Sequence, residues 1–92
     1  TRESAALEVV HLLMQAGAIV SYSDPYVFKA EVGGKVLTSA ELTPELLRSM
    51  DCTVILTDHS AFDYSMIAAG SSIVLDCRNA LRESSGLNIV SL

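Results

Sequence analysis

Two apolar runs in the chain stop in the same way. Cys52-Thr53-Val54-Ile55-Leu56-Thr57 breaks into Asp58-His59-Ser60, and Ser72-Ile73-Val74-Leu75 breaks into Asp76-Cys77-Arg78-Asn79. Runs this short, rich in β-branched residues and without polar alternation, predict strands buried on both faces and therefore a parallel sheet covered by helices. In open parallel sheets ligands bind beyond the carboxyl ends of the strands, which is where both polar clusters fall.

The spacing elsewhere supplies the helices. Ala6, Val9, Val10, Leu13 and Met14 recur at i, i+3, i+4, i+7 and i+8, one face of a helix with Ser4 as N-cap and Gly17 as the left-handed residue that ends it. A strand is predicted over 18–23, stopped by Asp24-Pro25 because proline cannot donate to a ladder. Gly33-Gly34 between Lys29-Ala30-Glu31-Val32 and Lys35-Val36-Leu37-Thr38 predicts a small edge hairpin. Thr43-Pro44-Glu45 joins a capping hydroxyl, a proline at the first helical position and an early acid, so a short helix begins there and ends near Ser49-Met50. Ser60-Ala61-Phe62-Asp63 reads as a capping box for another helix, through Met66-Ile67 to Gly70. Residues 78–86 predict a polar loop or helical turn, and 88–92 a last strand.

Helix, strand, hairpin, helix, strand, helix, strand, loop, strand is the order of an α/β fold with a Rossmann-like three-layer parallel sheet. Such a sheet begins with its central strand, whereas this chain opens on a helix. The expectation is a single domain, 1–92, that lacks the first strand of its sheet.

Composition adds a partner. A chain of 92 residues buries only about two-thirds of its unfolded surface, yet half of its residues are apolar and the mean hydropathy is +0.40. Part of that apolar surface is expected to be covered by a second domain or another copy of the chain. The net charge of −5 with six Lys plus Arg leaves no basic stripe for nucleic acid. No apolar stretch approaches the ~20 residues of a membrane span. If the two strands run parallel, Cys52 and Cys77 lie at opposite ends of the sheet, beyond disulfide reach, and two free thiols point to the cytoplasm.

The strand-end clusters hold the candidate chemistry. Arg78, a planar guanidinium just past a buried strand, is suited to bidentate capture of phosphate or carboxylate; otherwise it is a surface arginine paired with Asp76 or Asp58. His59 is a general base or metal ligand with Asp58, Asp76 and Cys77 near it, or a loop residue bonded to backbone; no metal-ligand spacing supports the first. His11, in mid-helix, reads as structural. Cys77 beside Arg78 has a thiolate-favouring neighbour but no base fixed next to it, so the inert reading is preferred. Tyr22, Tyr26, Phe62 and Tyr64 read as core or interface aromatics. Neither G-x-G-x-x-G nor a P-loop occurs, so the chain carries no nucleotide fingerprint of its own.

Four motifs coincide in order and spacing with a known family. Thr1-Arg2-Glu3-Ser4 opening a helix, Val20-Ser21-Tyr22-Ser23-Asp24-Pro25-Tyr26, Val54-Ile55-Leu56-Thr57-Asp58-His59 and Val74-Leu75-Asp76-Cys77-Arg78-Asn79 together resemble the C-terminal, UDP-binding domain of the UDP-glucose/GDP-mannose dehydrogenase family. The resemblance implies an NAD-dependent UDP-sugar 6-dehydrogenase that oxidises the sugar C6 hydroxyl to a carboxylate, supplying UDP-uronic acids for polysaccharide biosynthesis. It implies as partners an N-terminal NAD-binding domain, a central helical dimerisation element and the UDP-sugar, in a cytoplasmic homodimer. The catalytic cysteine and the dinucleotide fingerprint belong to the other domains, so no catalytic residue is expected here. Arg2 looks like the arginine that reaches NAD, and Arg78 like the one that contacts the UDP-sugar; Cys77 departs from the small residue usual before it. Thr57-Asp58-His59 is more similar to UDP-N-acetylhexosamine 6-dehydrogenases than to the Thr-Glu-Trp of UDP-glucose enzymes. Beside this stand two rival readings: a flavodoxin-like or receiver-like regulatory domain using Asp58 or Asp76, and an inert dimerising scaffold.

Overall fold

The first helix, α1 (Arg2–Gln15), shows why this sequence starts and stops where it does. It ends on Gly17 at φ +96°, where the N–H of Ala18 donates back to Leu13 O (3.0 Å) and that of Gly17 to Met14 O (3.1 Å). This pair of bonds closes a helix on a left-handed residue and satisfies carbonyls that would otherwise be orphaned. The helix begins two residues ahead of Ser4, so that serine lies in the first turn and is not the expected N-cap. The computed structural model describes residues 2–81 and 86–91, with side chains from residue 5 onward. They fall into two compact units, Thr1–Glu41 and Leu42–Leu92.

In the first unit, β1 (Lys29–Val32) and β2 (Lys35–Thr38) form the predicted hairpin, paired antiparallel from Lys29↔Thr38 to Val32↔Lys35. Gly33 and Gly34 take φ +57° and +83°, the mirror-image turn whose twist matches the strands. A Cβ on Gly33 would also lie 2.8 Å from Cδ2 and Nε2 of His11. The His11 ring therefore sits at this turn, which gives it the structural role expected.

The strand predicted over 18–23 is absent. Ala40 N–H donates to Tyr22 O (2.8 Å), but no described strand lies beside this segment, and extended chain without a ladder partner is not a strand. Side chains hold the stretch that leads from it to the hairpin: Tyr22 Oη donates to Val27 O (2.9 Å), Asp24 Oδ1 accepts from Tyr26 N (2.7 Å) and Val27 N (3.0 Å), and Ser39 Oγ accepts from Asp24 N (2.9 Å). Ile19 is left 96% exposed.

The second unit is α/β. Thr43 caps α2 (Pro44–Ser49), its Oγ1 accepting from Leu46 N at 3.1 Å, with Pro44 at the first helical position as predicted. Next along the chain come β3 (Thr53–Ile55), α3 (Tyr64–Gly70), β4 (Val74–Asp76) and β5 (Ile89–Ser91). The three strands are parallel in the order β3-β4-β5, a partial Rossmann-like topology with β4 central. Leu47, Ile55, Ile67, Val74 and Leu81 form its core. β4 is the most enclosed strand, with Val74 and Asp76 both at 0% exposure, while Thr53 and Val54 on the edge strand β3 are only half-buried.

Asp63, not Ser60, caps α3, its Oδ1 accepting from Met66 N at 3.1 Å. The stretch read as the first helical turn is instead a tight turn closed by Phe62 N to His59 O (3.2 Å). At the other end of α3, the Asn88 amide donates to Ala68 O (2.9 Å) and Ser71 O (3.1 Å), taking up two terminal carbonyls. Among the described residues no helix is long and apolar enough to cross a membrane.

Candidate functional site

The parallel register decides which loops become neighbours. Ile55 lies opposite Asp76, and Cys77 N donates to Ile55 O at 3.1 Å. The chain therefore leaves β3 and β4 side by side, and the Thr57-Asp58-His59 and Asp76-Cys77-Arg78-Asn79 clusters share the carboxyl edge of the sheet.

Asp76 is the structural centre of the second cluster. Its side chain is fully buried, with Oδ1 accepting from Arg78 N (3.1 Å) and Ala80 N (3.0 Å) and Oδ2 from Leu81 N (2.8 Å). Burial pushes this carboxyl upward, but the N–H groups of Leu81, Ala80, Arg78 and Asn79 outweigh it and hold the group below its ordinary value. A buried anion whose described partners are backbone N–H groups fixes the backbone it bonds. The turn that results carries Asn79 at φ +56°, a left-handed conformation that asparagine tolerates better than most residues. Leu81, buried in the core at 4% exposure, anchors the far end of the turn. Arg78 and Asn79 are exposed between the two anchors.

The first cluster is organised by a residue read from sequence as an ordinary aromatic. Tyr64 Oη donates to Asp58 Oδ1 (2.7 Å) and accepts from His59 N (2.9 Å). Burial, and then the bond to Asp58, raise the phenol from 10.0 to about 12; the Asp76 carboxylate adds to the rise. His59 meets Phe62 edge to face at 5.7 Å between ring centroids, and Phe62 meets Tyr64 in the same manner at 6.1 Å.

These contacts sort the candidates. Asp76, which with Asp58 was the alternative partner offered for Arg78, has both oxygens engaged with peptide groups. His59 is held through its backbone and its ring face. Among the described residues no three His, Cys, Asp or Glu side chains are placed to hold a metal. Cys52 and Cys77 are free thiols, the first exposed and the second half-buried. Arg2 opens α1, and its side chain lies outside the described residues. Two roles were not visible from sequence: Tyr64 as the link between Asp58 and His59, and Asp76 as a backbone clamp. Asp76 had a signal, an aspartate ending a buried run with an asparagine three positions on.

Comparison with known proteins places this arrangement. Residues 1–83 match the profile described as the UDP-glucose/GDP-mannose dehydrogenase family, UDP binding domain. Two curated relatives, each a UDP-N-acetyl-D-mannosamine dehydrogenase, come from Methanococcus maripaludis strains S2 and C7. Each is 33% identical over 92 aligned positions, covering 91% of this chain and 20% of the relative. The chain thus spans about a fifth of the length of these relatives. No solved structure matches. With a parallel sheet whose carboxyl edge carries an exposed arginine on a clamped turn, and a profile match across most of its length, the chain belongs to the UDP-glucose/GDP-mannose dehydrogenase family, as its UDP-binding domain.

Proposed function

We propose that residues 1–92 act as the UDP-sugar-binding domain of an NAD-dependent UDP-sugar 6-dehydrogenase, with Arg78 contacting the nucleotide-sugar. The observation that carries this reading is the place of Arg78: exposed, at the carboxyl edge of a parallel sheet, on a turn held at both ends by buried groups. A guanidinium there offers paired donors to a diphosphate without first having to order its own backbone. The names of the relatives make UDP-N-acetyl-D-mannosamine the substrate to assay first.

The reacting groups belong elsewhere in the enzyme on this reading. A dinucleotide pyrophosphate is cradled by a Gly-rich turn between strand and helix. The connections leaving β3 and β4 contain no such glycine pattern, so they offer no pyrophosphate cradle of their own and no redox step is assigned to them. Arg2 is retained as the contact with NAD held by the N-terminal domain. Ile19, Tyr26, Phe28 and Leu87 are 96%, 75%, 67% and 108% exposed, which supports cover by other domains; the cytoplasmic homodimer rests on the family resemblance alone. The receiver-like alternative loses support at Asp76, whose engaged, buried oxygens are not presented to a phosphoryl donor or Mg²⁺.

The test is steady-state kinetics of the intact enzyme. Arg78→Ala is expected to raise KM for the UDP-sugar about tenfold or more, since a lost charge-assisted contact costs about 1.5–3 kcal/mol. An unchanged KM and kcat would remove Arg78 from the site.

A further inference from the structure

We infer that Asp76 is a positioning residue for substrate binding: its buried carboxylate sets the direction in which Arg78 leaves the sheet, and the substrate meets its effect only through that arginine. This rests on the assignment of Arg78 above. Oδ1 takes the peptide N–H of Arg78 itself (3.1 Å) together with that of Ala80 (3.0 Å), and Oδ2 takes that of Leu81 (2.8 Å). Both oxygens thus bond the segment that bears the arginine, from its own residue to the first buried position beyond it. The carboxylate cannot swing, because it is enclosed at 0% exposure on the central strand, beside Val74 at 0%. Cys77 N is fixed independently to Ile55 O (3.1 Å), so the chain just before Arg78 is also tied to the neighbouring strand.

A long, flexible arginine on a free loop would lose conformational entropy on meeting a diphosphate, whereas one on a fixed backbone loses only side-chain freedom. The left-handed Asn79 (φ +56°) lies within the clamped segment. The chain must reverse within the few residues between Arg78 N and Leu81 N to bring both to one carboxylate. A carboxylate suits this position better than its amide. An asparagine keeps one oxygen for Arg78 and Ala80 but sets an NH₂ group against the N–H of Leu81, two donors facing each other.

The experiment is a variant cycle in the full-length enzyme, measuring KM and kcat for the UDP-sugar and equilibrium affinity for UDP, with thermal stability recorded alongside. Asp76→Asn is expected to raise KM and weaken UDP binding by about threefold to tenfold while kcat stays near the parent value. In the Arg78→Ala background the same change should add almost nothing, because the two residues act through one contact. A merely structural role would lower the melting temperature and the active fraction but leave KM and UDP affinity of the folded enzyme as they were. That result, with Arg78→Ala still weakening the substrate, overturns the positioning role alone. An Arg78→Ala enzyme with parent KM overturns both assignments. If Asp76→Asn does not yield folded enzyme, Asn79→Val and Asn79→Gly carry the test without touching the carboxylate. Valine disfavours the positive φ and should raise KM, whereas glycine accepts it and should keep KM near the parent value. Equal KM for the two Asn79 variants would overturn the inference.

Discussion

Two polar side chains, the buried Asp76 and the half-buried Tyr64, make opposite demands on pH. The Asp76 carboxyl is held below its ordinary value of 3.8 by the N–H groups it receives. The folded chain therefore binds fewer protons there than the unfolded chain, and the contribution is complete above about pH 4 and is lost as pH falls through the folded value. Tyr64 is raised from 10.0 to about 12, so its contribution is complete below pH 10.0 and is lost as pH rises toward 12. Denaturant unfolding across pH should show an acid limb that is diminished in Asp76→Asn and an alkaline limb that is diminished, though not abolished, in Tyr64→Phe, since burial also raises Tyr22; a profile unaltered by both changes would contradict this. At this scale the sequence was only partly legible, for a definite reason. Arg78 and Asp76 carry opposite charges, which suggests an ion pair, but the backbone turn brings the peptide N–H groups to the carboxylate instead. Spacing in a sequence does not show where main-chain donors point.

Helix ends were more legible, and where they were misread the cause is local. Thr43-Pro44-Glu45 marked the start of α2 correctly, since hydroxyl, proline and acid all favour the same position. Upstream of α3 the capping-box pattern placed the cap at Ser60 with Asp63 as its acid, but the His59–Phe62 turn takes up Ser60 and Asp63 is itself the cap. Asp63→Ala is therefore expected to cost about 1 kcal/mol of stability and Ser60→Ala less than about 0.5 kcal/mol, measured by urea denaturation. Equal costs would mean that the helix starts where the serine pattern placed it. The segment 18–23 failed for a different reason. An apolar run records that a strand is favoured, but a strand exists only beside another, and the partner is information the run does not contain. The hairpin escaped this limit because Gly33-Gly34 specifies both strands and their turn at once.

At the scale of the whole chain, the parallel β3-β4-β5 sheet and the edge on which Arg78 sits were legible from two apolar runs and the polar clusters that end them. Their register was not, because parallel strands meet through long connections whose lengths leave several alignments open. Strand order makes β4 central, and register sets its partners: Val74 pairs with Thr53 on one side and with Ile89 on the other. The second partner arrives late in the sequence. A nascent chain that has not yet delivered β5, or one truncated before Asn88, holds β4 as a bare edge of Val74, Leu75 and Asp76 open to pairing with another molecule. Such a truncation is expected to turn a stable sheet into an aggregating one, with rising light scattering on refolding where the longer chain stays clear; equal clarity would show that β4 needs no neighbour on that side. On that expectation β5, which follows the arginine's turn, covers the edge by which β4 would otherwise recruit a copy of the chain.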